Sequence, residues 1–285
     1  MRAPIRLVGK DIEAAVRPER GAKIVSLRHV ASEREWLGEP DADMGPAPSY
    51  GDIFTAAART GWDEMLPTID PCSGLPDHGE VWALPWDVVD RSDSVLTTEV
   101  TGRALPYRFT RRLEIGEARL RASYQVECLA AQPIDVLWAA HPLFLVHGET
   151  RVVLPAQVTE MLDVLNAEAV VAWPDGADRI DDVQPNSGRK LYLPPDQRID
   201  CAALVDPGGD WLQMRWDTRE LRYLGLWFSN GAHEPPPPRI AIEPTNAFYD
   251  SRDLAAESGR VQRVVPGMPV NWTVEIALGT GALPR

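Results

Sequence analysis

The chain has 285 residues, 44% of them hydrophobic and 25% charged, which supports a sizeable soluble core and leaves no run of eighteen apolar residues to cross a bilayer. With 42 acidic against 29 basic residues the formal net charge is -13, and no basic stripe is visible, so nucleic acid is excluded as a natural partner. Cys72, Cys128 and Cys201 are odd in number and widely spaced, which argues against a disulfide framework or a thiolate zinc site, and Met1 to Asp11 lacks the apolar stretch of a secretory signal; the chain reads as cytoplasmic.

Taken in chain order, the commonest pattern is a short alternating run closed by Gly, Pro, Asp or Asn, as expected of antiparallel strands with one buried face. The first lies at 22–30, and the stretch 41–59 has room for one short helix. Strands follow at 95–100 and at Tyr107–Ile115, where Tyr107, Phe109, Leu113 and Ile115 share one face with Arg111 while Arg108, Thr110, Arg112 and Glu114 take the other. Further runs lie at 120–129, 134–140, 191–193, 211–216, 223–229 and 239–242. Near the C-terminus Trp272, Val274, Ile276 and Leu278 oppose Asn271, Thr273 and Glu275. The 26 prolines break any long helix, and no repeat or composition shift marks a second domain. The expected fold is all-β, a large antiparallel β-sandwich formed as a single domain over residues 1–285.

Chemistry concentrates in two places. Trp62, Asp63 and Glu64, followed by His78, Gly79, Glu80, Trp82 and Trp86, mix acids, an imidazole and indoles. That mixture suits a neutral sugar, because aromatic faces cover its C–H side and polar groups take its hydroxyls. A tight loop with buried acids and tryptophan filler would read the same way. The second place is a pair of residues that each precede a proline. His141 closes the run 134–140 before Pro142, and Glu243 follows Ile240 and Ile242 before Pro244, so both are expected at strand ends. His141 is either a satisfied core histidine or a proton donor; Glu243 is either solvent-facing or a base whose pKa burial raises.

These residues together resemble the aldose 1-epimerase family of the galactose mutarotase-like superfamily. The landmarks are Pro76-Asp77-His78-Gly79-Glu80, His141-Pro142-Leu143-Phe144, Leu226-Trp227-Phe228-Ser229-Asn230, and Ile242-Glu243-Pro244 followed by Asp250. The resemblance implies the galactose mutarotase-like supersandwich, an isomerase acting on the anomers of an aldose, and neither metal nor cofactor. It further implies His141 as general acid, Glu243 as general base and His78 as a substrate-binding residue. Opening a cyclic hemiacetal requires removing the anomeric hydroxyl proton while giving one to the ring oxygen, so two groups are needed. Where the family carries an Asn-Arg pair this chain has Ala58-Arg59, which leaves Arg59, Asp63, Glu64 and Glu80 for hydroxyl contacts. Trp227 is expected as a stacking platform or as core filler, and Asn230 as a sugar contact or a turn residue.

Two alternatives share the scaffold. A non-catalytic sugar-binding or sensor protein would keep Trp62, Trp82 and Trp227 without needing the acid–base pair. A sugar-phosphate epimerase would need clustered arginines, for which Arg108, Arg111, Arg112, Arg119 and Arg121 are available, though the pleat divides them between faces. The isolated histidines, including His147 and His233, show no metal-ligand spacing, and nucleophile-elbow and phosphate-loop motifs are missing. A small sugar is the expected partner, with the protein a monomer or weak homodimer away from membranes.

Overall fold

A computed structural model describes residues 3–39, 41–42, 44–57, 60–116, 118–233 and 237–284. Its strands are, in chain order, β1 (Ile5–Val8), β2 (Ile12–Arg17), β3 (Lys23–His29), β4 (Gly61–Met65), β5 (Asp87–Arg91), β6 (Val95–Thr101), β7 (Tyr107–Ile115), β8 (Arg119–Cys128), β9 (Ile134–Val136) and β10 (Ala139–Leu145). There follow β11 (Arg151–Val153), β12 (Glu160–Asp163), β13 (Ala169–Ala172), β14 (Ser187–Tyr192), β15 (Cys201–Val205), β16 (Asp210–Trp216), β17 (Tyr223–Asn230), β18 (Arg239–Thr245), β19 (Gln262–Val264) and β20 (Val270–Thr280). Two short helices, α1 (Phe54–Ala57) and α2 (Arg252–Glu257), sit among the loops. The first of them occupies the stretch where one short helix was expected.

The described strands form a ten-stranded sheet in the order β1-β2-β3-β4-β10-β18-β17-β14-β12-β13 and an eight-stranded sheet in the order β11-β15-β16-β20-β8-β7-β6-β5. A separate pair joins β19 to β9. Every pairing within these sheets is antiparallel, as the alternating sequence runs require. The inner faces of the two large sheets meet in one apolar core, to which Trp62, Ile242 and Leu226 come from the first sheet and Phe109, Leu113, Trp272 and Ile276 from the second. Among the described residues no helix is long and apolar enough to cross a membrane.

The alternation read for Tyr107–Ile115 holds, and it includes Arg111, which is fully buried among apolar neighbours. Its guanidinium donates to Glu64 Oε1 at 2.8 Å and to the Ala22 carbonyl, and Glu64 also accepts from Tyr124 Oη at 3.0 Å and Trp138 Nε1 at 3.0 Å. This ionic network ties the two sheets together through their shared core, with Arg111 Nε its one unpartnered donor. A buried charge left alone is costly because nothing replaces its water.

Two strand ends were misplaced. His141 lies inside β10 and Glu243 inside β18, with Pro142 and Pro244 continuing their strands. The ladder between β10 and β18 is made at Ala139↔Thr245, Phe144↔Ile240 and Leu145↔Arg239 and breaks in between. Both prolines fall in that break, so their missing amides leave the pairings of β10 with β4 and of β18 with β17 continuous. Arg111→Ala would strand Glu64 as an unpaired buried carboxylate. We expect it to lower stability by about 3–5 kcal/mol, seen as a lower urea midpoint at unchanged slope.

Candidate functional site

The period of two along each strand decides which residues can meet. Asp63 on β4 is registered with His141 on β10, and the unbroken register across the proline gap sets His141 opposite Glu243 on β18. Gly225 on β17 faces Glu243, and Tyr192 on β14 faces Gly225. One row across five strands therefore carries Asp63, His141, Glu243, Gly225 and Tyr192 on a single face. One pleat further along, Lys190 pairs with Trp227 on that same face. Gly225 supplies the room: a Cβ there would lie 3.0 Å from Glu243 Oε2 and 3.5 Å from Lys190 Cε.

Over this face lies a cavity of about 170 Å³ lined by Phe54, Thr55, Ile69, Asp70, His78, His141, Leu165, Lys190, Trp227, His233 and Asp250. A larger hollow of about 340 Å³ lies over β1 to β3, but its walls are surface residues such as the ion-paired Arg6, Arg28 and Glu33. The smaller cavity is where unusual side chains converge. His141 Nε2 lies 3.7 Å from Glu243 Oε1, an oxygen that has no hydrogen-bond partner. Lys190 Nζ donates to Glu243 Oε2 and lies 3.6 Å from Asp250 Oδ1, which accepts a hydrogen bond from Tyr192 Oη. Glu243 itself is fully buried beneath the cavity floor, behind His141 and Lys190.

His78 enters the cavity through a local device legible in its sequence. His78 and Gly79 both have left-handed backbone, with φ of +57° and +70°, and a Cβ on Gly79 would come within 2.2 Å of the Leu66 carbonyl oxygen. Trp82 Nε1 donates to the Asp77 and Gly79 carbonyls at 3.1 Å each, closing the loop from behind. The His78 ring stacks on Phe54 at 4.2 Å, and its Nδ1 bonds Asp77 Oδ1 at 2.7 Å. Trp227 is the other aromatic wall, stacked with His233 at 6.1 Å. Its ring lies over Gly188, where a Cβ would meet the indole at 2.2 Å.

Several expected site residues lie elsewhere. Glu64 follows Asp63 by one residue and so points through the sheet into the inter-sheet core, where Arg111, Tyr124 and Trp138 consume it. Glu80 is fully buried and accepts from the Arg103 and Ala104 amides at 2.9 Å and from Tyr107 Oη at 2.8 Å, which anchors a loop. Asn230 Nδ2 donates to the Val183 carbonyl at 2.8 Å and does not line the cavity. Asp63 is on the right face but fully buried and paired with Lys23. Trp62 and Trp82 are buried, so neither can stack on a ligand. Arg59 lies outside the described residues. Of the five arginines considered for a phosphate site, none lines the cavity, and all sit on β7 and β8 in the other sheet.

Lys190, Tyr192 and Asp70 escaped the sequence reading. Tyr192 lies inside the recognised run 191–193 and Lys190 directly precedes it, so extending the alternation by one position would have placed both on one face. Asp250 stood out as a landmark without a role.

Burial governs the electrostatics. It pushes His141 well below its ordinary pKa, and the neighbouring His78, Lys190 and Lys23 push the same way, so the imidazole rests neutral. Burial also raises the Glu243 carboxyl, opposed by Lys190. For Lys190 burial acts downward, but Asp250 and Glu243 outweigh it and hold the ammonium charged. Asp70 is raised by burial and by Asp250. Among the described residues no group of three or more His, Cys, Asp and Glu side chains is placed to hold a metal ion.

Because folded His141 resists protonation while the unfolded chain takes a proton near pH 6.5, acidification through that value favours unfolding. Stability is expected to fall as pH drops below about 6.5, and His141→Asn to flatten that fall between about pH 7 and 5. Parallel wild-type and variant curves from chemical denaturation would contradict this.

No family model matches the chain, and no curated protein matches it. Solved structures do. An Escherichia coli K12 protein provisionally named as an aldose 1-epimerase superposes with a TM-score of 0.75 at 16% identity, covering 98% of this chain and 99% of that one. Galactose mutarotase-like proteins from Lactobacillus casei ATCC 334 and Clostridium acetobutylicum superpose with TM-scores of 0.72 and 0.71 at 18% and 14% identity, covering 97% of this chain and 100% and 95% of theirs. At such identities the likeness is one of architecture, and it spans the chain nearly end to end: the protein has the galactose mutarotase-like fold.

Proposed function

We propose that the protein is a carbohydrate isomerase of the aldose 1-epimerase type, interconverting the α and β anomers of an aldose by opening and reclosing its ring. The observation that carries this reading is the approach of His141 Nε2 to 3.7 Å from Glu243 Oε1 at the floor of a cavity walled by an indole, two imidazoles and two carboxylates. A pyranose laid against Trp227 would present hydroxyls to His78, Asp70 and Asp250. The small volume suits one sugar ring.

The division of labour differs from the one the resemblance implies. His141 faces the cavity and is held neutral by burial, so it is poised to accept the anomeric hydroxyl proton. Glu243, behind it, would stabilise the imidazolium that forms, since a carboxylate within about 4 Å favours the charged ring. O5 takes a proton from a donor on the cavity as C1–O5 breaks; after rotation about C1–C2 the ring closes on either face, O5 gives that proton back, and the proton held by His141 returns to the carbonyl oxygen.

The test is polarimetry or anomer-exchange NMR across a panel of neutral hexoses. Wild-type protein should accelerate interconversion, and His141→Ala and Glu243→Gln should each reduce kcat by about 10²–10⁴ while the fold persists. The acid limb of kcat/KM should lie below the ordinary histidine pKa of 6.5, because only the neutral ring can accept a proton. A wild-type rate equal to buffer, with sugar still bound, would favour the non-catalytic sugar-binding reading.

A further inference from the structure

We propose that Lys190 is a second catalytic residue of this site, the donor of the proton that the ring oxygen takes when C1–O5 breaks. The proposal rests on the epimerase reading above and deepens it. That reading supplies an acceptor, His141, but a ring-opening step also needs a donor placed on the same cavity. Among the described lining residues Lys190 is the ammonium that meets this need.

Its geometry is that of a held and aimed group. Lys190 is 7% exposed, lines the cavity, and stands beside Trp227 in the pairing of β14 with β17. Nζ donates to Glu243 Oε2, lies 3.6 Å from Asp250 Oδ1 and sits 5.4 Å from the centre of the Tyr192 ring. Glu243 is thus bracketed, with Oε1 toward His141 and Oε2 toward Lys190. The absence of a side chain at Gly225 is what lets Lys190, Tyr192 and Glu243 crowd together.

The step balances within these three groups. In the ring form the site holds an ammonium, a carboxylate and a neutral imidazole. As the O1–H bond breaks its proton passes to His141 Nε2, the C1=O1 double bond forms, the C1–O5 electron pair moves onto O5, and O5 takes a proton from Lys190 Nζ. The open form then faces an imidazolium, the same carboxylate and a neutral amine. Glu243 has one cationic neighbour throughout, so no net charge is created in a buried site. A sugar hydroxyl is a far weaker acid than an ammonium, so the transfer is favourable once the C–O bond has lengthened. Closure reverses each move on either face of C1, and no outside reactant is consumed.

Lys190→Arg separates proton donation from charge. Arginine keeps a cation and hydrogen bonds for Glu243 but does not give up a proton at neutral pH. With an active wild type, the variant should fold, bind sugar by tryptophan fluorescence with KM changed less than about fivefold, and lose about 10²-fold or more in kcat. Lys190→Ala should regain rate with added primary amines, in proportion to their acid strength. An arginine variant within threefold of wild-type kcat, or rescue that ignores the amine's pKa, would overturn the donor role and leave the epimerase reading standing. An inactive wild type would instead remove that reading, and this proposal with it.

Discussion

The parity of the antiparallel pleat is the constraint on which this site depends. Each step along a strand crosses the sheet, so two acids adjacent in sequence acquire unrelated lives. Asp63 joins the face that carries the cavity, whereas Glu64 is delivered to the core and to Arg111. The same parity lets a row of residues that are far apart in sequence assemble across five neighbouring strands without any loop having to reach inward. A one-residue slip anywhere in that row would exchange the cavity face for the core face.

Burial of charge is handled in two ways on the two sides of the ten-stranded sheet. On the core side Glu64 is saturated by three donors, which makes it a fixture. On the cavity side Glu243 keeps one oxygen without a partner, and His141 Nδ1 and Asp63 Oδ1 are likewise unpartnered. Buried polar atoms with unmet hydrogen bonds are uncommon and costly in a folded chain. These three align along one row under the cavity, although buried core atoms such as Arg111 Nε, Trp62 Nε1 and Trp272 Nε1 are unpartnered as well.

Much of this was legible in the sequence, and the gaps have physical causes. The alternating runs at Tyr107–Ile115 and 271–278 gave the sandwich, because half-buried strands must alternate. Arg111 announced itself as a charge on an apolar face, but its partner lies in the other sheet, and no local pattern reports a contact between sheets. His78-Gly79 could be read because a left-handed turn has its own residue preferences. Glu80, in the same motif, could not be separated from a ligand-binding acid, since only the fold shows the loop amides it serves. Lys190 follows Arg189 and looks like one of two solvated cations; what covers it includes Glu243 and Asp250, more than fifty residues away in the chain. The proline rule failed at His141 and Glu243 because two prolines on adjacent strands share one gap in the ladder.

That shared gap has a mechanical consequence. Between residues 139 and 144 the strands bearing the imidazole and the carboxylate are not stitched to each other by amides; each is instead fastened to its outer neighbour, β10 to β4 and β18 to β17. The spacing of the imidazole and the carboxylate is therefore set from outside, by two flanks meeting along an unlaced seam. Parting the two strands there works against side-chain contacts, such as that of His141 with Glu243 and of Arg239 with the Leu143 carbonyl, with no ladder of paired amides to break.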